Sequence, residues 1–433
     1  MQVATPKKGY KIAKTSFGKY IEIPEGWSSL TLKEVCKEIA SGGTPSRTEE
    51  KYFGGDIPWV VVSDIKPIIL ETSEYLTEEG LKNSSAKLWD KGTVILSTGA
   101  TIGKVGIAGV ELCTKQGVTG LVPKKSLSAY FLAYYLKNIT NVLKRGAAGA
   151  TITEIYKKEL EKIFVTIPPL SEQQQIVSIL SNIDDAIQKT DQIIEQSQRL
   201  KKGMMQKLLT KGIGHTKFKK VKWFFGKEIQ IPEAWEMTEL EKCVDSDTLI
   251  TYGIVQAGDN ISNGIPYIRT NDMLEDVIPV KKLFHTTPEI HKKYKRTQLK
   301  KGDIVCTVRA SVGKFHIVPE ELENANLSRG VARISPRDNL DNVFLYYSLQ
   351  SNFVKEQLNT LSKGSTFLEI TMFQLRKILT PISTNVSEQQ QIASILSNID
   401  TQIQKEKLHK SNLEQLKKGL MQKLLTGQIR VKV

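Results

Sequence analysis

Four cysteines are scattered through 433 residues, Cys36, Cys113, Cys243 and Cys306, with no C-x-x-C and no histidine at metal-ligand spacing. That excludes a disulfide framework and a zinc site, and points to reduced, mostly buried thiols in a cytoplasmic protein. No stretch approaches the ~18–20 uncharged apolar residues of a transmembrane helix. The opening run MQVATPKKGYKIAKTSFGKY carries lysines but no apolar core, so no secretory signal is expected. Only five histidines are present, which gives little support to a Ser/His/Asp or Cys/His site.

Catalytic motifs are missing as well. At Gly103-Lys104, the nearest approach to a P-loop, Thr98 stands where the first glycine belongs and Val105 follows the lysine. A metal-dependent nuclease pairs an Asp with a downstream Glu-x-Lys, yet no Asp precedes the only such tripeptide, Glu49-Glu50-Lys51. The only Pro-Pro, Pro168-Pro169, follows Ile167 and not the Asn or Asp that a base-flipping amino-methyltransferase uses. The expectation is a chain with no catalytic residue, no metal site and no cofactor site of its own.

What is present is charge. Sixty-one Lys and Arg stand against 46 Asp and Glu, a net +15. The excess fits a polyanionic partner, nucleic acid first, or simply a lysine-rich surface. Distribution favours the partner: residues 1–20 hold five lysines, 196–222 nine basic residues and 415–433 five, all without an acid. With 40% hydrophobic and 25% charged residues, the chain reads as globular and long enough for two to four domains.

An internal repeat organises the whole length. SEQQQIVSILSNIDDAIQ (171–188) recurs as SEQQQIASILSNIDTQIQ (387–404), and LKKGMMQKLLT (200–210) as LKKGLMQKLLT (416–426). Looser matches link FGKYIEIPEGW (17–27) to FGKEIQIPEAW (225–235), and GDIPWVVVSDI (55–65) to NGIPYIRTNDM (263–273). KGTVILSTGATIGKVGI (91–107) likewise matches KGDIVCTVRASVGKFHI (301–317), and GATITEI (149–155) matches GSTFLEI (364–370). The near-identical blocks read as helices of about 39 residues, ~58 Å long, opened by capping boxes at Ser171 and Ser387. Their apolar seam runs through Ile176, Leu180, Ile183, Ile187, Ile194, Leu200 and Leu208, then Ile392, Leu396, Ile399, Ile403, Leu413, Leu416 and Leu424. That spacing predicts an intrachain two-helix coiled coil; the alternative is packing on separate partner chains. The variable blocks read as mixed α+β domains. The boundaries expected are 1–170 and 216–386 for two domains, and 171–215 and 387–433 for two helical spacers.

Shared positions carry two readings each. Asp64/Asp272 and Glu154/Glu369 are retained for chemistry or cap turns; Gly92/Gly302 and Gly103/Gly313 suit turns of positive φ. Lys104 and Lys314 either meet a phosphate or stay solvated. Trp27 and Trp235 read as core anchors before stacking platforms. Differences are equally informative: Val61 faces Arg269, Gly99 faces Arg309, and Gln116 faces Arg329. One scaffold with different polar tips suits two readers of different base sequences, a bidentate Arg–guanine pair being worth ~1–3 kcal/mol. The candidate DNA contacts are Thr44, Ser46, Arg47, Thr98, Thr101, Lys104 and Gln116, with Arg269, Thr270, Asn271, Arg309, Ser311, Lys314 and Arg329.

Taken together, the layout resembles the specificity subunit of type I restriction–modification systems. The resemblance spans essentially the whole chain. It rests on I-P-E-x-W (23–27, 231–235), G-G-T-P-S (42–46), G-D-I-P-W (55–59), P-P-L-S-E-Q-Q-Q-I (168–176) and K-K-G-x-M-Q-K-L-L-T (201–210, 417–426). The second copy lacks G-G-T-P-S, which leaves its first loop unassigned. The resemblance implies that the two helices run antiparallel as a rigid spacer between two target-recognition domains, which read a bipartite double-stranded DNA target across an unspecified spacer. Its implied partners are two modification subunits that bring S-adenosylmethionine and methylate adenine N6. Restriction subunits would bring ATP and Mg²⁺. A two-domain coiled-coil scaffold that binds protein is the rival reading.

Overall fold

The computed structural model describes residues 6–99, 101–147, 154–364 and 368–432. Most of the 149–155 motif and residues 365–367 of its counterpart lie outside them. Two compact units emerge, Met1–Asp191 with Leu408–Val433, and Gln192–Lys407. The long helices are Leu170–Lys211 and Val386–Leu424. Each unit thus owns one mixed domain, the first half of the helix that follows it, and the second half of the other helix.

The first unit opens with a hairpin, Tyr10–Lys14 against Tyr20–Pro24, and its entry strand Ser28–Thr31 pairs with the exit strand Phe164–Ile167. Between them lies a five-stranded sheet in the order Cys36–Ser41, Val118–Pro123, Val94–Ser97, Val105–Ala108, Ile68–Ile69. A four-stranded sheet follows the order Glu74–Leu76, Phe53–Val60, Leu112–Thr114, Leu88–Trp89. The second unit repeats the plan with a hairpin at Phe218–Lys222 and Glu228–Pro232 and an entry–exit pair Trp235–Glu239 and Leu379–Ser383. Its sheets are shorter. One has the order Thr251–Tyr252, Val331–Ile334, Ile304–Thr307, Phe315–Ile317, and the other Phe284–Thr286, Ile265–Ile268, Asn326–Leu327.

The identical helix blocks have a local physical reason. Trp27 and Trp235 are fully buried, and a buried indole N–H needs an acceptor. Trp27 Nε1 donates to Glu172 Oε2 at 3.0 Å, and Trp235 Nε1 to Glu388 Oε2 at 2.9 Å. Both carboxylates sit in the first helical turn, where the helix dipole favours negative charge. A nitrogen-bearing side chain arriving after the opposite helix completes each site. Arg430 Nε meets Glu172 Oε1 at 2.6 Å, and His215 Nε2 lies 2.8 Å from Glu388 Oε1. Beside them, Gln173 and Gln389 are buried and bond to loop backbone, for example Ser128 N at 2.8 Å and Asp341 N at 2.7 Å.

A second device ties both helix halves to the domain. In the first unit Tyr134 donates to Asp184 Oδ2 at 2.7 Å, and Lys417 pairs with the same carboxylate. In the second, Tyr347 donates to Asp400 Oδ2 at 2.7 Å and Lys201 meets Asp400 Oδ1 at 2.6 Å. Burial and the neighbouring carboxylate push both tyrosines well above their ordinary range, so they remain donors. Lys410 pairs with Asp191 at 2.7 Å, which with Asp184–Lys417 makes the two helix segments antiparallel.

Several expectations need correction. The helices begin one residue before the serines, at Leu170 and Val386, and Asn385 Oδ1 takes the Ser387 amide at 2.9 Å, so the capping-box reading fails. The seam is not a uniform helix–helix stripe. Ile176, Leu180 and Leu424 enter the core of the first domain beside Phe131 and Trp27, and Ile392, Leu396 and Leu208 enter that of the second beside Phe344. Ile403 is buried, whereas Ile183, Ile187, Ile194, Ile399 and Leu413 are half-buried. Leu200 and Leu416 are exposed, at 56% and 51%. A long helix that serves as a wall of two globular cores changes its buried side along its length, which a fixed heptad does not describe. All four cysteines are buried and free, and burial pushes Cys36, Cys113 and Cys243 up to about 12. No described helix is long and apolar enough to cross a membrane.

Burial pushes Glu388 up, but bonds from Ser383, the Ile213 amide, Trp235 and His215 outweigh it and hold the carboxyl below its usual range. A depressed acid stabilises the fold above its unfolded value of about 4.3, and the contribution is lost as pH falls through the folded value. Glu388→Gln should cost about 1–3 kcal/mol at neutral pH and weaken the loss of stability below about pH 4.3. Chemical denaturation across pH checks both; a parallel pair of curves would refute the assignment.

Candidate nucleic-acid interface

Four loops of each domain converge through backbone hydrogen bonds at one edge of its sheets. In the first unit Gly42 N donates to Val118 O and Gly43 N to Thr114 O, each at 2.9 Å. Lys115 N donates to Val60 O at 3.0 Å, and Thr98 N to Gly117 O at 2.8 Å. The second unit repeats three of these: Ile254 N to Leu327 O at 2.6 Å, Ser328 N to Ile268 O at 2.9 Å, and Val308 N to Gly330 O at 2.9 Å. The loop after strand Thr251–Tyr252 therefore occupies the place of G-G-T-P-S, with Gly253 for Gly42. A Cβ on either glycine would stand 1.9 Å from the carbonyl oxygen of Thr114 or Leu327, so the loop can pass this close only as glycine. This is the loop that the sequence left unassigned, and a single glycine after a short polar strand was its only signal.

Inside each constellation the turn following the central strand is held alike. Thr98 N and Val308 N lead into it, and its return amides at Lys104 and Lys314 donate to Ser97 Oγ and Thr307 Oγ1, both at 2.9 Å. Gly103 and Gly313 take φ of 100° and 84°. Asp64 accepts from Val61 N at 3.1 Å and Asp272 from Arg269 N at 2.9 Å, so this shared pair holds turns. Glu369 belongs to an ion pair with Arg309.

The candidate side chains are in very different states. Thr98 is 1% exposed and shares a 3.0 Å hydrogen bond with Thr119; it is packed under the loop and cannot reach a ligand, which corrects its place among the contacts. Ser46, Arg47, Thr101, Lys104 and Gln116 are exposed and Thr44 half-buried. Arg47 grips Glu74 at 2.5 and 3.1 Å and stacks over Phe53 and Trp59, at 4.8 and 5.0 Å from the ring centroids. Its hydrogen bonds hold the Glu74 carboxyl below the ordinary range. Lys104 Nζ donates to Val62 O at 3.3 Å.

In the second unit Arg269 is engaged by Asp272 through Nε at 3.0 Å and Nη2 at 2.8 Å, and lies 3.5 Å over Phe284. Arg309 Nε donates to Glu369 at 2.7 Å. Thr270 and Ser311 are half-buried, and Asn271 and Lys314 exposed. Arg329 is exposed, its amide donates to Ile254 O at 2.8 Å, and among the described residues its guanidinium has no hydrogen bond or ion pair. By turn register Arg329 is the second unit's counterpart of Gln116 in the first. Beside it Tyr252 and Val255 are 44% and 46% exposed. The edge is thus built of exposed donors and apolar tips, without a cluster of three or more His, Cys, Asp or Glu able to hold a metal among the described residues.

A family model described as the type I restriction modification DNA specificity domain matches this chain twice, over residues 24–198 and 232–415. Among curated proteins, the type I restriction enzyme MjaVIII specificity subunit of Methanocaldococcus jannaschii is 30% identical over 95% of this chain and 95% of its own. The MjaIX specificity subunit of the same organism is 26% identical over 96% of each. The type I S subunit from M. genitalium shares the fold at a TM-score of 0.58, with 16% identity over 92% of this chain and 96% of that one. A chain from work on assembly and conformational transition of the type I system gives 0.59, with 20% identity over 94% and 100%.

The unequal states of the arginines give a graded expectation for base reading. Arg329→Glu should abolish recognition of one half-site. Arg309→Glu and Arg269→Glu, whose guanidinium groups already bind carboxylates, should act mainly through lost stability. Mapping methylated sites of each variant complex checks this; unchanged specificity in Arg329→Glu would remove it as a reader.

Proposed function

The chain belongs to the type I restriction–modification DNA specificity family, and on that premise we propose that it reads a bipartite DNA target, one half with each domain. The observation that carries the reading is the pair of loop constellations. Their backbone hydrogen bonds coincide while their tips differ: exposed Gln116 against exposed Arg329, and, half-buried, Val61 against Arg269 and Gly99 against Arg309. Base edges in the major groove are distinguished by donor and acceptor pattern, so a constant frame with exchangeable polar tips suits two half-sites. As a recognition subunit the chain carries no chemistry itself. S-adenosylmethionine, and ATP with Mg²⁺ where a restriction subunit is present, are assigned to its partners.

The same reading gives the helices a second duty, docking two copies of one modification subunit. Exposed side chains without intrachain work are free to drift, yet Gln174, Gln175, Ser178 and Asn182 match Gln390, Gln391, Ser394 and Asn398, all exposed. Mid-helix glycines Gly203 and Gly419 have open space around a Cβ in both copies. Each sacrifices about 1 kcal/mol of helix stability against alanine, next to exposed Leu200 and Leu416. At the hairpin tips Phe17 and Phe225 hold φ of 60° and 53° while 55% and 75% exposed. A bulky residue in the left-handed region is strained, and exposed aromatics are common anchors of interfaces. In each unit a groove of about 730 Å³ joins hairpin and helix end, lined by Ile21, Glu22 and Thr426 in one, and by Ile229, Gln230 and Thr210 in the other.

Co-expression with the modification subunit in a methylation-free host, followed by single-molecule sequencing of modified adenines, tests the function. A gapped motif methylated on both strands and lost without this chain is the expected result. A stable complex that leaves DNA unmodified favours the protein-binding scaffold. For docking, Phe17→Gly with Phe225→Gly should lower assembly at least tenfold by sedimentation while leaving the fold's thermal midpoint unchanged or raised, since glycine takes the positive φ without strain. Undiminished assembly would exclude the hairpin tips.

A further inference from the structure

The helix beside the first loop differs in charge between the two units. In the first it is Glu78–Lys82 and in the second Pro288–Lys293; each is capped by a threonine, Thr77 accepting from Gly80 N and Thr287 from Ile290 N. Strand Glu74–Leu76 or Phe284–Thr286 leads into each, on matching registers with Ile57–Trp59 and Ile265–Tyr267. Residues 74–92 hold three basic residues and four acids. Residues 284–302 hold six basic residues and one acid, Glu289. Lys292, Lys293, Lys295 and Arg296 are all exposed and, among the described residues, none forms an ion pair. In the first unit, by contrast, Glu79 pairs with Lys51 at 2.5 Å and Glu74 with Arg47.

This basic run touches the loop edge directly. Val255 N donates to Tyr294 Oη at 3.3 Å, Thr286 Oγ1 to Ala257 O at 2.8 Å, and His285 N to Asn260 Oδ1 at 2.8 Å. The run is therefore hydrogen-bonded to the loop that Gly253 opens, whose far side meets Arg329. Four unpaired cations in five residues beside a base-reading edge form the electrostatic pattern of a phosphate contact, which positions a protein on a duplex without reading its sequence.

We propose that Lys292, Lys293, Lys295 and Arg296 form a phosphodiester clamp that the first unit lacks, so that the second unit supplies the larger share of non-specific DNA affinity. The inference rests on the DNA-recognition reading and adds an asymmetry to it. Each neutralised phosphate contributes about 0.9 to the slope of log Kobs against log salt. The full complex with modification subunits is titrated with a duplex carrying its own methylated motif between about 50 and 200 mM salt. Replacing Lys292, Lys293, Lys295 and Arg296 together by Gln should reduce the slope by about 3–4 and weaken all sequences alike. The methylated motif should stay the same, which also shows that the variant is folded. Glu78→Lys in the first unit should steepen the slope by about 1. A quadruple variant with an unchanged slope overturns the clamp, as does one that changes the motif, since that assigns the run to base reading. Failure of the unmodified complex to methylate any gapped motif would instead refute the recognition reading.

Discussion

A carboxylate buried at the first turn of each long helix is the constraint on which the structure depends. Glu172 and Glu388 cannot be withdrawn from water without partners. Each takes them from three places: a tryptophan at the domain's entry, the dipole of its own helix, and a cation or amide from the segment that follows the other helix. One group thus ties entry strand, exit helix and returning segment together. The Asp–Lys–Tyr clamp a little over three turns further on repeats the logic with an exposed edge. Near-identity of the helix blocks is a consequence: their buried polar residues have geometry to satisfy, and few alternatives of the same reach exist.

The domains face a different demand. Their loop backbones are locked to the sheet edges by backbone hydrogen bonds and by a few side chains at their base, Ser97, Thr307, Asp64 and Asp272, so exposed side chains at the tips are released from structural duty. Thr98 marks the boundary, since one residue inward from the tips a hydroxyl already belongs to the core. Such a division lets recognition change while the scaffold does not. Some tips have nevertheless been drawn into local ion pairs. Arg47, Arg269 and Arg309 are oriented by carboxylates, and only a partner with better-placed acceptors would release them.

Charge completes the picture. The net positive balance is unevenly used: the clamp lysines Lys201 and Lys417 are consumed in holding helices to domains, whereas the basic run beside the second unit's first loop is unspent. On the proposed clamp, two copies of one fold share a recognition frame and still differ in how they hold a polyanion, because exposed charge at a helix surface changes folding free energy little and favours association with opposite charge strongly.

From the sequence alone the repeat, the class of fold, the long helices and the family resemblance were legible, because identity at a constant offset and an apolar helical period survive without three-dimensional information. The turn duty of Asp64 and Asp272 and the anchoring of Trp27 and Trp235 were open between readings that only contacts could separate. Tyr134, Tyr347, Arg430 and His215 escaped notice because their partners lie 50 to 258 residues away in the chain. The second unit's first loop was invisible for a related reason: its place is defined by a close backbone approach at Gly253, and that approach leaves no motif. Periodicity and repetition are local and additive, so sequence determines them; which side chains are buried, paired or left free depends on distances between remote segments, and those exist only once the chain has folded.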